Sequence, residues 1–194
     1  MRFFQMSPGM STQYLLNSYP WEKYTTVVDV GGSHGLLSID LVQRFPHLRC
    51  TVQDLPEVIA SAPKDVHRVE FQGHDFFTPQ PVYGADVYLF RAIFHNWGDK
   101  YCVQILRNLI PALKKGARVV VNDHVVPAPG VLGCYKEQSV RGFDSVMKAT
   151  FNSRERSVED WRKFIMQTDE RFIVRQVIEP EGIQLGILDV EWMG

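Results

Sequence analysis

Cysteine is scarce. The 194 residues hold three, Cys50, Cys102 and Cys134, far apart and outside any Cys-x-x-Cys spacing. A disulfide framework and a cysteine-built metal centre are therefore not expected; two of the three sit in apolar runs, as buried thiols in a reducing compartment do. Charge of one sign is also missing. The net charge of −1 offers no basic surface for nucleic acid or an anionic membrane. There is no apolar run of about 18 residues, which a membrane-spanning helix requires, and no charged-then-apolar leader. The expectations are no membrane partner, no nucleic-acid partner and a cytoplasmic location. Repeats and low-complexity segments are absent. So is a G-x-G-x-x-G dinucleotide fingerprint.

What is present is enough for one α/β domain with a real core, or at most two very small ones. Apolar residues make up 45% and charged ones 22%, ordinary for a globular protein. Met1-Arg2-Phe3-Phe4-Gln5-Met6 reads as an amphipathic helix entered midway, so the chain is expected to be the C-terminal part of something longer. Residues 11–18 suggest a short helix, broken at Tyr19-Pro20-Trp21. Strands are expected at roughly 25–30, 49–53, 66–71, 86–90 and 117–121, because these runs are rich in β-branched and aromatic residues. Helices are expected at 34–45, stopped by Pro46, and at 99–114, with Asp99 as N-cap. Further helices are expected at 135–149 and after Ser157, the second with Trp161, Phe164 and Ile165 on one face. Two strands near 172–178 and 184–191, separated by Pro180-Glu181-Gly182, end the chain. Strands alternating with helices, then a closing hairpin, predict a doubly wound, mostly parallel seven-stranded sheet with one antiparallel strand. Ligands of such sheets sit beyond the carboxyl ends of the strands.

Five groups stand at those ends. The first is Val27-Val28-Asp29-Val30-Gly31-Gly32-Ser33-His34-Gly35, a strand turning on glycines into a helix N-terminus, where backbone N–H groups and the positive dipole end can meet a nucleotide-like ligand. Its spacing, Asp29-x-Gly31-x-Ser33-x-Gly35, also suits a plain tight turn. Asp54, after the second strand, can accept both hydroxyls of a ribose, or simply cap a turn before Pro56. Gly73-His74-Asp75-Phe76-Phe77 pairs an acid with an aromatic, fit for an adenine amino group and ring face; two core phenylalanines beside a Gly-Asp turn is the other reading. In Arg91-Ala92-Ile93-Phe94-His95-Asn96-Trp97-Gly98-Asp99 a single imidazole lies between an apolar strand and a helix, where a general base can be held rigidly. It can equally be a structural hydrogen-bonder. Asp123 and Glu155 are carboxylates able to orient an imidazole, or else a strand-end acid and a surface partner of Arg154 or Arg156. Phe143, Met147 and Phe151 can line a pocket or form a helix's core face.

Together these segments resemble the C-terminal catalytic domain of the plant and fungal small-molecule O-methyltransferases, the caffeic acid and hydroxyflavonoid type, with the fungal polyketide-pathway branch nearest. Val27–Gly35 resembles the family's first motif, Asp54-Leu55-Pro56 its ribose segment, and Gly73–Phe77 its adenine-side loop. His95-Asn96-Trp97-Gly98-Asp99 resembles the segment that carries the catalytic histidine. Asp123-His124-Val125-Val126-Pro127 and Arg154-Glu155-Arg156 match the acids that flank it. Asn96 stands where Asp is usual, Gly98 where Ser is common, Arg91 where Lys is common, and Asp123 where the plant enzymes have Glu; only Asn96 loses a charge.

The resemblance implies a Rossmann-like class I methyltransferase fold over residues 21–194. Residues 1–20 are then the remnant of the linker to an N-terminal helical domain that dimerises in the family, and Ser7-Pro8-Gly9-Met10-Ser11 resembles that linker. It further implies S-adenosylmethionine (SAM) as cofactor, held by Asp29, Gly31, Gly32, Asp54, Leu55, Asp75, Phe76 and Arg91. His95 is the implied base, supported by Asp123 and Glu155, with no metal and a small aromatic hydroxyl compound as acceptor. A SAM-binding domain without activity, and a nicotinamide oxidoreductase sharing Asp54, are the alternatives. The glycine spacing disfavours the second.

Overall fold

The structure is a computed structural model and describes residues 11–127, 130–179 and 185–194. Seven strands form one sheet in the order β3-β2-β1-β4-β5-β7-β6. They are β1 (Thr26–Val30), β2 (Arg49–Asp54), β3 (Val69–Gly73), β4 (Val87–Arg91), β5 (Arg118–His124), β6 (Phe172–Ile178) and β7 (Leu185–Trp192). Strand β7 runs antiparallel to both its neighbours, and every other pairing is parallel. The sheet is thus the one expected from the sequence. The helices are α1 (Thr12–Ser18), α2 (Leu36–Arg44), α3 (Pro56–Ile59), α4 (Asp99–Leu109), α5 (Cys134–Phe151) and α6 (Val158–Thr168).

The central strands are apolar on both faces because helices cover both. Val28, Val30, Tyr88, Phe90, Val119 and Val121 face a layer built by α4 and α6, with Leu106, Leu109, Trp161 and Phe164. Val27, Val52, Val87, Leu89 and Val120 face α1 and α2, with Leu15, Leu16, Leu37 and Leu41. Trp21 is fully buried there, its indole N–H donating to the Leu15 carbonyl at 3.0 Å, and the Tyr19 hydroxyl donates to Asp189 at 3.0 Å. Leu15, Leu16, Tyr19 and Trp21 therefore pack into this domain's core. Cys50 and Cys102 are buried and Cys134 is exposed, all three as free thiols.

Several boundaries move for local reasons. The third strand begins at Val69, since Asp65 and Arg68 take positive φ and interrupt the extended run. Helix α4 ends at Leu109 and passes into a 3-10 turn at Ile110–Ala112, where Pro111 lacks the amide proton that an α-turn needs. Asp99 is the first helical residue and Gly98 the N-cap. The Asp99 carboxylate is taken by arginines instead, and so cannot fold back as a cap. Strand β5 runs on to His124 because β7 pairs with it that far, which puts Asp123 inside the sheet. Ser157 caps α6 as expected, in a reciprocal capping box with Asp160. The opening helix at 1–6, the linker at 7–10 and Pro180-Glu181-Gly182 lie outside the described residues.

Register decides where chemistry can gather. Val30 lies opposite both Gln53 and Phe90, and Arg91 opposite Asn122. The carboxyl ends of β1, β2, β4 and β5 are therefore level, at the point where the strand order reverses between β1 and β4.

Candidate active site

The turns after β1, β3 and β4, the end of β2, the start of α4 and the end of α5 build the cleft. After β1 the chain turns at Gly31, φ +74°, and the amides of Gly31 and Gly32 donate to the Gln53 carbonyl at 2.7 and 3.0 Å. A Cβ on Gly31 would lie 2.5 Å from Ile93 Cδ1, and one on Gly32 would lie 2.6 Å from Asp29 Cγ. Only glycine lets the backbone pass so close. Asp29 itself is 2% exposed and accepts from the Ser38 hydroxyl at 2.8 Å. Burial raises its pKa to about 6, against the Ser38 bond and the Arg91 charge, which pull it down.

Asp54 ends β2. Its Oδ2 accepts from the Ser33 amide and its Oδ1 from the Leu55 amide, both at 2.8 Å, so the carboxylate is fixed against the glycine turn. Asp75 caps its own turn, accepting from the Phe77 amide at 2.9 Å, and Phe76 meets Phe77 and Trp97 edge-on. Gly31, Asp54, Leu55, Asp75 and Phe76 all line one open cleft of about 1190 Å³, together with Ile93, Asn96 and Trp97. Asp29, Gly32 and Arg91 do not line it. They stand behind its surface, where Asp29 supports the turn and the Arg91 cation acts between the Asp29 and Asp123 charges.

His95 sits in a 3-10 turn, Phe94–Asn96, just past β4. Ala92 before it has φ +54°, a conformation costing a non-glycine residue about 1 kcal/mol or more, which the surrounding bonds must sustain. The imidazole is 7% exposed. Its Nδ1 lies 3.3 Å from Glu155 Oε1 and 3.7 Å from Asp123 Oδ1, and its backbone N–H donates to Asp123 Oδ2 at 3.1 Å. The Ser153 hydroxyl donates to the His95 carbonyl. Burial alone would depress this histidine's pKa. The Asp123 charge, then the hydrogen bond and charge of Glu155, outweigh it, and the pKa is raised. Tertiary packing thus brings together the histidine and both acids, which lie 28 and 60 positions away.

Three contributors were not legible in the sequence. Arg156 is 1% exposed rather than a surface partner of Glu155. Its guanidinium donates to the carbonyls of Phe94 and Trp97 at 3.1 and 2.8 Å and to Asp99 at 2.7 Å, and lies over the Trp161 and Phe164 rings. It holds the His95 turn at both ends. Asp144 accepts from the Glu155 amide at 2.7 Å. His124 lies nearly parallel to His95, ring centroids 5.9 Å apart, and 4.7 Å from Phe143. The Arg154-Glu155-Arg156 run was the only signal for the first, and its burial could not be read from its composition. Of the apolar residues of α5, Met147 is buried, Phe143 half-buried and Phe151 exposed on the cleft wall.

A seven-stranded sheet with β7 reversed and a glycine turn at its carboxyl edge is the fold of SAM-dependent methyltransferases. The O-methyltransferase domain family model matches residues 1–169, and the chain belongs to that family. It is 45% identical over 201 residues to the grayanic acid biosynthesis cluster O-methyltransferase of Cladonia grayi, covering 99% of this chain and 44% of that protein. It is 38% identical to the chlorophenol O-methyltransferase of Trichoderma longibrachiatum, covering 99% and 44%. The structure of LepI in complex with SAM superposes with a TM-score of 0.76 at 27% identity, covering 95% of this chain and 47% of that one. The chain spans about half the length of the curated relatives it matches.

Proposed function

We propose that this domain binds SAM in the cleft and transfers its methyl group to an aromatic hydroxyl of a small secondary metabolite, with His95 as general base. The cleft residues fit the cofactor. Gly31 brings bare backbone to the cleft wall against Ile93, Asp54 presents a pre-oriented carboxylate for the ribose hydroxyls, and Asp75 with Phe76 offers an acceptor and a ring face for adenine. Gly32, Leu55, Asp29 and Arg91 contribute by shaping that wall from beside or behind. SAM, when bound, would supply an electrophilic methyl group, its sulfur–methyl bond breaking to leave S-adenosylhomocysteine.

His95 takes the proton of the acceptor hydroxyl as its oxygen attacks. A phenol near pKa 10 and an unperturbed imidazole near 6.5 differ by about 3.5 units, roughly 5 kcal/mol against prior proton transfer. Asp123 and Glu155 narrow that gap, because their charges stabilise the imidazolium. Both act as positioning residues: Asp123 fixes the backbone of His95, Glu155 its ring. The observation that carries this reading is the buried His95 held on Nδ1 by an acid, with its neighbours Ile93, Asn96 and Trp97 on the cleft wall.

A relative named for chlorophenol supports a phenolic acceptor. A homodimer completed by a preceding helical domain, and a cytoplasmic setting, belong to the same proposal. The test is calorimetric titration with SAM, followed by mass-spectrometric assay of O-methylation on a panel of phenols; failure to bind SAM refutes the reading. A second outcome, SAM binding without turnover, is favoured by the bare face of α5, where Tyr135 is 86% and Val146 52% exposed.

A further inference from the structure

Among the described residues, one cluster of potential metal ligands surrounds the base rather than the cleft. Ligand-type atoms of His95, His124 and Glu155 all lie within 4.8 Å of one another. Two of these side chains carry an atom that the fold does not satisfy. His124 Nε2 and Glu155 Oε2 are buried and have no hydrogen-bond partner among the described residues, and the Glu155 side chain is only 2% exposed. Buried polar atoms without partners are rare and call for an occupant.

Asp123 is not available as that occupant. Its Oδ2 is committed to the His95 amide and its Oδ1 to the His124 amide, at 3.1 and 3.0 Å. Backbone bonds also fix where the three ligands start: the Glu155 amide donates to Asp144, and the Trp161 indole donates to the His124 carbonyl.

We propose that His95, His124 and Glu155 form a three-ligand site for a late first-row divalent cation, Zn²⁺ foremost, and that filling it takes His95 out of catalysis. Two imidazoles and one carboxylate are the donor set that Zn²⁺ prefers when one position stays open. Mg²⁺ and Ca²⁺ need several oxygens and find one carboxylate. Tetrahedral ligands at about 2.1 Å from zinc lie about 3.4 Å apart, so a gap of up to 4.8 Å must close by up to about 1.4 Å. The Glu155 carboxylate, whose outer oxygen is unheld, can rotate toward the common point. A metal here occupies lone pairs of the very ring that must accept a proton, so the site is inhibitory. The inhibitory consequence rests on His95 being the base; the binding site itself does not.

Binding is therefore tested separately from turnover. The purified chain, stripped with chelator and without SAM or acceptor, is titrated with Zn²⁺ by calorimetry and with Co²⁺ by visible absorption. One equivalent should bind, with the intense ligand-field bands of four-coordinate Co²⁺, while Mg²⁺ gives no heat. His124→Phe keeps an aromatic ring against Phe143, and Glu155→Gln keeps the side chain's shape. Each should weaken Zn²⁺ by about a hundredfold, no less than loss of an outer-shell partner costs. Cys134→Ser, on the exposed start of α5, should change nothing. Thermal melts establish that each variant is folded; if His124→Phe does not fold, His124→Asn replaces it. Where turnover is measurable, Zn²⁺ should inhibit the parent chain and spare His124→Phe. Absence of one-equivalent binding, or Zn²⁺ affinity unchanged in a folded His124 variant, overturns the site. Zn²⁺ bound as expected in a chain that never methylates a phenol would leave the site standing and refute only the methyltransferase reading.

Discussion

Asp123 grips His95 twice: one carboxylate oxygen accepts the histidine's backbone N–H at 3.1 Å, and the other lies 3.7 Å from its Nδ1. One buried acid therefore sets both the position and the proton affinity of the ring. His95 works as a base only when neutral, and its pKa is raised above 6.5. The rate should thus climb with pH, with a midpoint above 6.5. Asp123→Asn keeps an acceptor oxygen for one of the two backbone N–H groups, of His95 and His124, but loses the charge, so the midpoint should fall. A kcat–pH profile unmoved by this substitution would refute the assignment. The stability sign is the opposite of the rate: protonated His95 stabilises the fold fully below about pH 6.5, and that contribution is lost as pH rises through the raised value.

Replacing His95 by Ala should lower turnover by about 10²- to 10⁴-fold, the range for a general base. SAM affinity should stay within a few-fold, because the proposed cofactor contacts, Gly31, Asp54, Asp75 and Phe76, do not include His95. Turnover and a SAM titration on one preparation check both halves. Retained turnover, or lost SAM binding, would sink the proposed role.

Asp54→Asn should act in the reverse way. The substitution removes charge-assisted bonds worth about 1.5–3 kcal/mol, so the SAM dissociation constant should rise by at least about tenfold, while kcat at saturating SAM changes little. A large kcat effect with unchanged SAM affinity would place Asp54 in the chemistry instead.

Asp29 offers a stability test at the glycine turn. Its pKa rises from 3.8 to about 6 on folding. Between these values the folded chain keeps a proton that the unfolded chain has lost, so ionising Asp29 costs stability as pH rises. Above about pH 6 the penalty is constant, on the order of 3 kcal/mol. Asp29→Asn removes it. Denaturant melts should show the variant gaining on the parent from about pH 4 to 6, then holding level. A pH-independent difference between the two would contradict this account.

Arg156→Met should loosen the His95 turn. It strands the Phe94 and Trp97 carbonyls, each costing about 1–3 kcal/mol when buried and unpaired, so a loss of roughly 3 kcal/mol is expected. At a temperature where the variant is folded, kcat should drop while SAM affinity holds. Equal losses in both would point to general damage.

The seven strands, their mostly parallel order and the reversed β7 follow from local pattern. β-branched runs punctuated by glycine and proline are readable one segment at a time, and a doubly wound sheet is the arrangement that buries them on both faces. The glycine turn and Asp54 were legible for the same reason, since each sits at the end of its own strand. Strand ends at Val69 and His124 were not, because positive φ at Arg68 and pairing with β7 decided them.

Arg156 shows the limit most clearly. Its neighbours Arg154 and Glu155 read as a solvated charge run, yet the fold buries the guanidinium against Trp161 and the His95 turn and turns Glu155 toward the imidazole. Sequence determined the sheet and the presence of a histidine at its carboxyl edge. Only tertiary structure decided that Asp123 and Glu155 meet it and that His124 stacks beside it. Burial and charge at a point depend on what packs there from distant parts of the chain, and no local pattern encodes that.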